Sequence, residues 1–147
     1  MSDEIPVVLV SGHKTHIPTY ATEGAAGADL CACIPTEIQV GVGERVMVPT
    51  GIRLAIPTGW EAQVRPRSGL AWKKGLTVVN APGTIDADYR GEVAVLLINL
   101  GQEAVNISPG ERIAQMVFAR APQAQLQWVE ALPKTHRGDG GFGSTGR

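Results

Sequence analysis

The chain has 147 residues, 44% of them hydrophobic and 18% charged, which suits one domain with its own core and excludes a disordered protein. Thirteen Lys and Arg against fourteen Asp and Glu leave a formal charge of −1, which argues against the broad basic surface needed to bind long nucleic acid. A small anion held by a few local cations stays open.

The chain starts with the acidic Met1-Ser2-Asp3-Glu4 and a short apolar run, Val7–Val10, a pattern of neither a secretory leader nor a membrane span. His13 and His16 lie three apart without a cysteine pair, so zinc spacing is missing and a surface loop is expected. Ala26-Gly27-Ala28-Asp29-Leu30 sets one acid after a glycine turn. Cys31 and Cys33 would share a face of a strand, but ring strain opposes a bridge between them. Both are expected as reduced, buried thiols of a cytoplasmic protein.

Eighteen glycines and ten prolines then punctuate a series of short β-rich runs. These are Arg45–Val48, Ile52–Ile56, Glu61–Val64, Thr77–Val79, Val93–Leu100, Arg112–Ala119 and Gln125–Val129. Several alternate with period two: Val46 with Val48, then Ile52, Leu54 and Ile56, and finally Leu126 with Trp128. No longer window keeps a helical period, and the best short helix is Ser68–Lys74, with Ser68 as cap and Gly75 as stop. Many short strands at this spacing predict an all-β sandwich, jelly roll or barrel. Val42-Gly43-Glu44-Arg45-Val46 and Pro109-Gly110-Glu111-Arg112-Ile113 echo each other, and we read them as one hairpin chemistry used twice rather than as a repeat.

Four further segments carry chemistry. Pro66-Arg67-Ser68-Gly69-Leu70-Ala71 joins a strand to the short helix, offering Arg67 and free N–H groups to an anion; an ordinary capped turn explains the same residues. In the stretch from Asn80 to Glu92, Asn80 can read a base edge and Tyr89 can lie flat on a sugar. Asp86 and Asp88 there are either paired metal carboxylates, or a general base beside a turn residue. Gln115 is polar in an otherwise apolar strand and needs a partner, backbone or ligand. The last eleven residues, Arg137 to Arg147, hold five glycines around Phe142, Ser144, Thr145 and two arginines. They cannot fold alone, yet contain a ring to stack on a base and donors for phosphate. No nucleophile elbow, GxxxxGK[ST] loop or dinucleotide fingerprint occurs.

Taken in order, AGADL at 26–30, PRSGLAWKKG at 66–75, NAPGTIDADYRGE at 80–92, RIAQM at 112–116 and RGDGGFGSTG at 137–146 resemble the five motifs of the trimeric dUTP pyrophosphatases (dUTPases). Five motifs in register across nearly the whole chain make a specific resemblance, and no position that carries family function departs from it. The resemblance implies a distorted jelly roll over residues 1–136, a homotrimer with shared active sites, and a flexible arm over 137–147. It implies Mg²⁺-dependent hydrolysis of dUTP to dUMP and pyrophosphate, which keeps uracil out of DNA and supplies the thymidylate precursor. Asp86 would be the general base activating water toward the α-phosphorus. Asn80, with Gly83, Thr84, Ile85 and the backbone from Tyr89 to Ala94, would read uracil, and Tyr89 would exclude a 2′-hydroxyl. Arg67, Ser68 and Gly69 of a neighbouring chain, with Gln115, would hold phosphates, and Asp29 would support the metal through water. Arg137, Phe142, Gly143, Ser144 and Thr145 of a third chain would close over the nucleotide. No membrane or direct nucleic-acid partner is expected. A dCTP deaminase of the same fold and a non-catalytic nucleotide-binding protein are the rivals. The Tyr89 hairpin with the complete tail argues against the first, and the presence of Asp86 against the second.

Overall fold

The computed structural model describes residues 6–11 and 17–146, so His13, His16 and the first five residues lie outside the described part. Among the described residues the fold is all-β, with eleven strands and one short helix. One sheet has the order β1 (Val8–Ser11), β5 (Arg45–Ala55), β9 (Glu92–Asn99), β7 (Leu76–Val78). A second runs β2 (Thr19–Tyr20), β3 (Ala28–Cys31), β11 (Arg112–Arg120), β6 (Trp60–Arg65), β8 (Gly83–Ile85). A small pair joins β4 (Ile38–Val40) to β10 (Val105–Ile107), and α1 (Ser68–Lys74) links β6 to β7.

Alternation along the strands sorts the two faces. Val93, Val95, Leu97 and Asn99 of β9 are buried while Ala94, Leu96 and Ile98 are only half-buried. Val48, Ile52 and Leu54 of β5 meet Ala62 and Val64 of β6 and Ile113, Ala114 and Met116 of β11 in one apolar cluster. Removing water from this cluster is the main stabilising term of the fold. Asn99 is fully buried, and its side chain donates to the carbonyls of Val40 (3.0 Å) and Glu103 (2.8 Å) and accepts from the Gly101 N–H (2.9 Å). It therefore ties β9 to β4 and to the following loop without an unpaired polar atom.

Several expectations change. The runs Arg45–Val48 and Ile52–Ile56 are one strand, because a register shift between Pro49 and Arg53 absorbs Pro49-Thr50-Gly51, with Gly51 at φ 72°. Gln125–Val129 is not a strand: its alternation is strand-like, but no strand among the described residues pairs with it. Ser68 does not cap α1. It is the first helical residue, Arg67 occupies the cap position, and no side chain caps the turn. Gly75 does end the helix, in the left-handed conformation at φ 68°. The two echoing segments are matching turns: Gly43 and Gly110 have φ 77° and 78°, and Glu44 and Glu111 accept from the N–H three residues earlier at 2.7 and 2.9 Å. Cys31 and Cys33 are both free, and both are half-buried rather than buried.

Candidate active site

The turn between β7 and β8 and the hairpin leading into β9 enclose a cleft of about 240 Å³. Seven of the residues singled out from sequence line it: Asn80, Gly83, Thr84, Ile85, Asp86, Tyr89 and Ala94. Asp86 is exposed, just past the end of β8, so its carboxylate is open to water and to a ligand. Asp88 is exposed in the adjacent turn and does not line the cleft. Tyr89 is held by its hydroxyl, which donates to the Glu92 carbonyl at 2.9 Å, and its ring lies against Gly91. Met47, Val64 and Leu96 complete an apolar wall that sequence reasoning did not find, since they come from three separate strands.

A second cleft, of about 470 Å³, forms where β3, β6 and β11 meet the start of α1. Asp29, Arg67, Ser68, Gly69 and Gln115 line it as a group, and Arg65 and Arg112 join them. The Asp29 carboxylate receives Arg67 Nε and Arg112 Nη1, each at 3.3 Å, with only 13% of its side chain exposed. Arg112 and Gln115 are three apart, which in a regular strand would place them on opposite faces. The register shift between Arg112 and Ala114 brings both to this cleft, a feature no alternation rule could reveal. Gln115 finds its partner in the backbone, donating to the Pro66 carbonyl at 3.0 Å. A Cβ at residue 27 would lie 2.2 Å from Gln115 Oε1, so a larger residue there would displace the Gln115 side chain. Beside the cleft, burial pushes the Cys31 thiol above its usual range and the Asp29 carboxylate adds to this, against Arg112 and Arg67. Cys31 is therefore a neutral thiol rather than a nucleophile at neutral pH.

The tail joins neither cleft. Arg137 Nε donates to the Gly140 carbonyl at 2.7 Å, and turns join Gly141 to Ser144 and Gly143 to Gly146. Phe142 is fully exposed and has φ 51°, an unusual conformation for an aromatic residue. Gly143, Ser144 and Thr145 are exposed next to it. The two clefts share no lining residue, and a further hollow lined by Gln63, Arg65, Pro66, Ala81, Pro82 and Gln115 adjoins the second. A roomier hollow of about 580 Å³ lies between α1 and the loop after β9; Lys73, Lys74 and Glu103 line it, but none of the residues given a role above does.

Among the described residues no three His, Cys, Asp or Glu side chains gather to hold a metal ion. Asp29 Oδ2 accepts from Arg112 and Oδ1 pairs with Arg67, and the carboxylate keeps free lone pairs, which fits a water on a metal ion better than the ion itself. Mg²⁺, which favours phosphate oxygens and waters, suits such a donor set.

Residues 13–146 match the family model described as dUTPase. The chain is 56% identical, over 149 aligned positions covering 99% of both chains, to a deoxyuridine 5'-triphosphate nucleotidohydrolase of Desulfotalea psychrophila. It is 61% identical over 132 positions to one of Caulobacter vibrioides, covering 88% of this chain and 85% of the relative. The fold is similar to that of a Staphylococcus bacteriophage 80alpha dUTPase with dUPNHPP, with a TM-score of 0.86 at 24% identity over 96% of this chain and 98% of the other. A dUTPase from Streptococcus mutans gives a TM-score of 0.73 at 28% identity, covering 81% and 98% of the two chains.

Proposed function

This chain belongs to the dUTPase family and hydrolyses dUTP to dUMP and pyrophosphate, and from that premise we propose how its own residues divide the work. The observation that carries the reading is the grouping of Asp86 with Asn80 and Tyr89 in one cleft, and of Arg67, Ser68, Gly69 and Gln115 in another. The first cleft takes the deoxynucleoside. Asn80 and the backbone of Gly83, Thr84, Ile85 and Ala94 read uracil beside the apolar side chains of Val64 and Leu96, which exclude a 5-methyl group. Tyr89 covers the sugar and leaves no room for a 2′-hydroxyl. Steric exclusion matters here, because affinity alone separates a methyl group by only about 1–3 kcal/mol.

Asp86 takes a proton from the water that attacks the α-phosphorus, and pyrophosphate departs from the opposite side. Such a base contributes about 10²–10⁴-fold to a rate. Arg67, the Ser68 hydroxyl, the Gly69 N–H and Gln115 hold the phosphates and balance their charge, without which the water would meet a repelling anion. Mg²⁺ supplies further charge neutralisation of the phosphates when bound, with Asp29 holding one of its waters. The arm 137–147 closes over the nucleotide, with Phe142 stacking on the base and Arg137, Gly143, Ser144 and Thr145 meeting phosphate. Closure excludes water other than the nucleophile.

The complete site is shared within a homotrimer of distorted jelly rolls, each chain being residues 1–136 with its arm reaching a neighbour. Two features support this: the clefts are separate within one chain, and Leu126, Trp128 and Leu132 are exposed after Arg120, where a second copy can cover them. In the cell, a cytoplasmic enzyme of this kind keeps uracil out of DNA and supplies dUMP for thymidylate synthesis. It needs no membrane or nucleic-acid partner.

Pyrophosphate release with Mg²⁺ from dUTP, dTTP, dCTP and UTP tests the reading, with Asp86→Asn alongside. We expect turnover of dUTP alone, and in the mutant a loss of about 10²–10⁴-fold with nucleotide binding kept. Ammonia release from dCTP, or turnover retained by Asp86→Asn, would reject it.

A further inference from the structure

Arg65 ends β6, directly opposite Gln115 of β11 and two residues before Arg67. Its guanidinium is fixed rather than free. Nε and Nη2 both donate to Gln63 Oε1, at 3.1 and 2.7 Å, and the Gln63 amide donates to Glu61. Glu61, Gln63 and Arg65 thus form a row along one face of β6 that holds the arginine at the strand end, where it lines the cleft with Gln115 and Arg67. This row engages one edge of the guanidinium and leaves the Nη1 donors unused among the described residues.

The other two arginines of the cleft are both committed to Asp29. Arg65 is the one of the three with no carboxylate partner among the described residues. Together the three guanidinium groups and Asp29 leave a surplus of two positive charges. A magnesium-bound triphosphate retains roughly two negative charges, and Arg65 supplies one of the positive charges of the cleft that offset them. A long exposed side chain held by neutral and acidic neighbours at an anion cleft loses rotamer freedom before the ligand arrives, and so loses less on binding.

We propose that Arg65 is a further phosphate-binding residue, engaging the β- and γ-phosphates that leave as pyrophosphate. The proposal rests on the reading above, in which the α-phosphorus lies beside Asp86 in the other cleft. The groups of the basic cleft then meet the phosphates beyond it. Gln63 serves as the positioning residue, since its side chain accepts from the arginine and is itself held by Glu61.

The test is calorimetric titration of α,β-imido-dUTP, dUDP and dUMP, each with Mg²⁺, against the wild type, Arg65→Gln and Arg65→Lys. For Arg65→Gln we expect affinity for imido-dUTP to fall about tenfold or more, with dUMP binding unchanged. Arg65→Lys keeps the charge but not the fork and should recover part of the loss. Imido-dUTP binding by Arg65→Gln at wild-type strength, or an equal loss for all three nucleotides, would overturn the proposal. A wild type that turns over dUTP beside an unaffected Arg65→Gln removes only this assignment, whereas a wild type silent on dUTP removes the reading beneath it.

Discussion

Tyr89 stands where it does because residue 91 has no side chain. A Cβ on Gly91 would lie 2.3 Å from the Tyr89 hydroxyl oxygen and 2.5 Å from the ring carbon that bears it. Gly91 has no positive φ, so Gly91→Ala strains no backbone and acts only by displacing the ring. If Tyr89 excludes the 2′-hydroxyl, the kcat/KM ratio of dUTP over UTP should fall about tenfold in Gly91→Ala. An unchanged ratio would take the sugar gate away from Tyr89. The motif around Tyr89 is plain in the sequence, but the role of Gly91 is not, because a contact between ring and backbone depends on how the turn folds. Gly27 under Gln115 is the same case on the other cleft.

At the scale of elements, the tail and the strand β11 set the two limits of pattern reading. Runs of glycine with one aromatic ring marked Arg137–Arg147 as a segment that cannot bury itself, and its described hydrogen bonds are indeed local turns. Truncation before Arg137 should leave a chain with the wild-type β-sheet circular dichroism and melting temperature. Its dUTP turnover should drop by about 10²-fold or more if the arm closes over the nucleotide. An unfolded product would make the tail structural. In β11, by contrast, the β-rich run Arg112–Ala119 was legible while the shift between Arg112 and Ala114 was not. That one irregularity decides that Arg112 joins Asp29 and Gln115, since a bulge depends on the partner strand as well as on its own residues. The short strands β2, β4 and β10 escaped notice for a related reason: two or three residues cannot display a period.

For the whole molecule, the separation of the two clefts makes a sharp prediction about assembly. If each complete site takes Asp86 from one chain and Arg67 from another, Asp86→Asn and Arg67→Ala proteins should each be inactive alone. Chains of both kinds, unfolded together and refolded, should regain part of the dUTP turnover in mixed trimers, while each refolded alone stays inactive. No recovery would place both residues in a site built by one chain. The sequence by itself determined the all-β class, the positions of most long strands, the helix over Ser68–Lys74 and the residues worth suspecting. Local chemistry carries those signals, through alternation, turn residues and motif spacing. Only the tertiary structure decided that the suspects fall into two groups, that Arg65 and Arg112 join one of them, and that Gln125–Val129 has no strand to pair with among the described residues. Those outcomes depend on strand register and on which edges stay unpaired, and both are set by contacts between residues far apart in the chain.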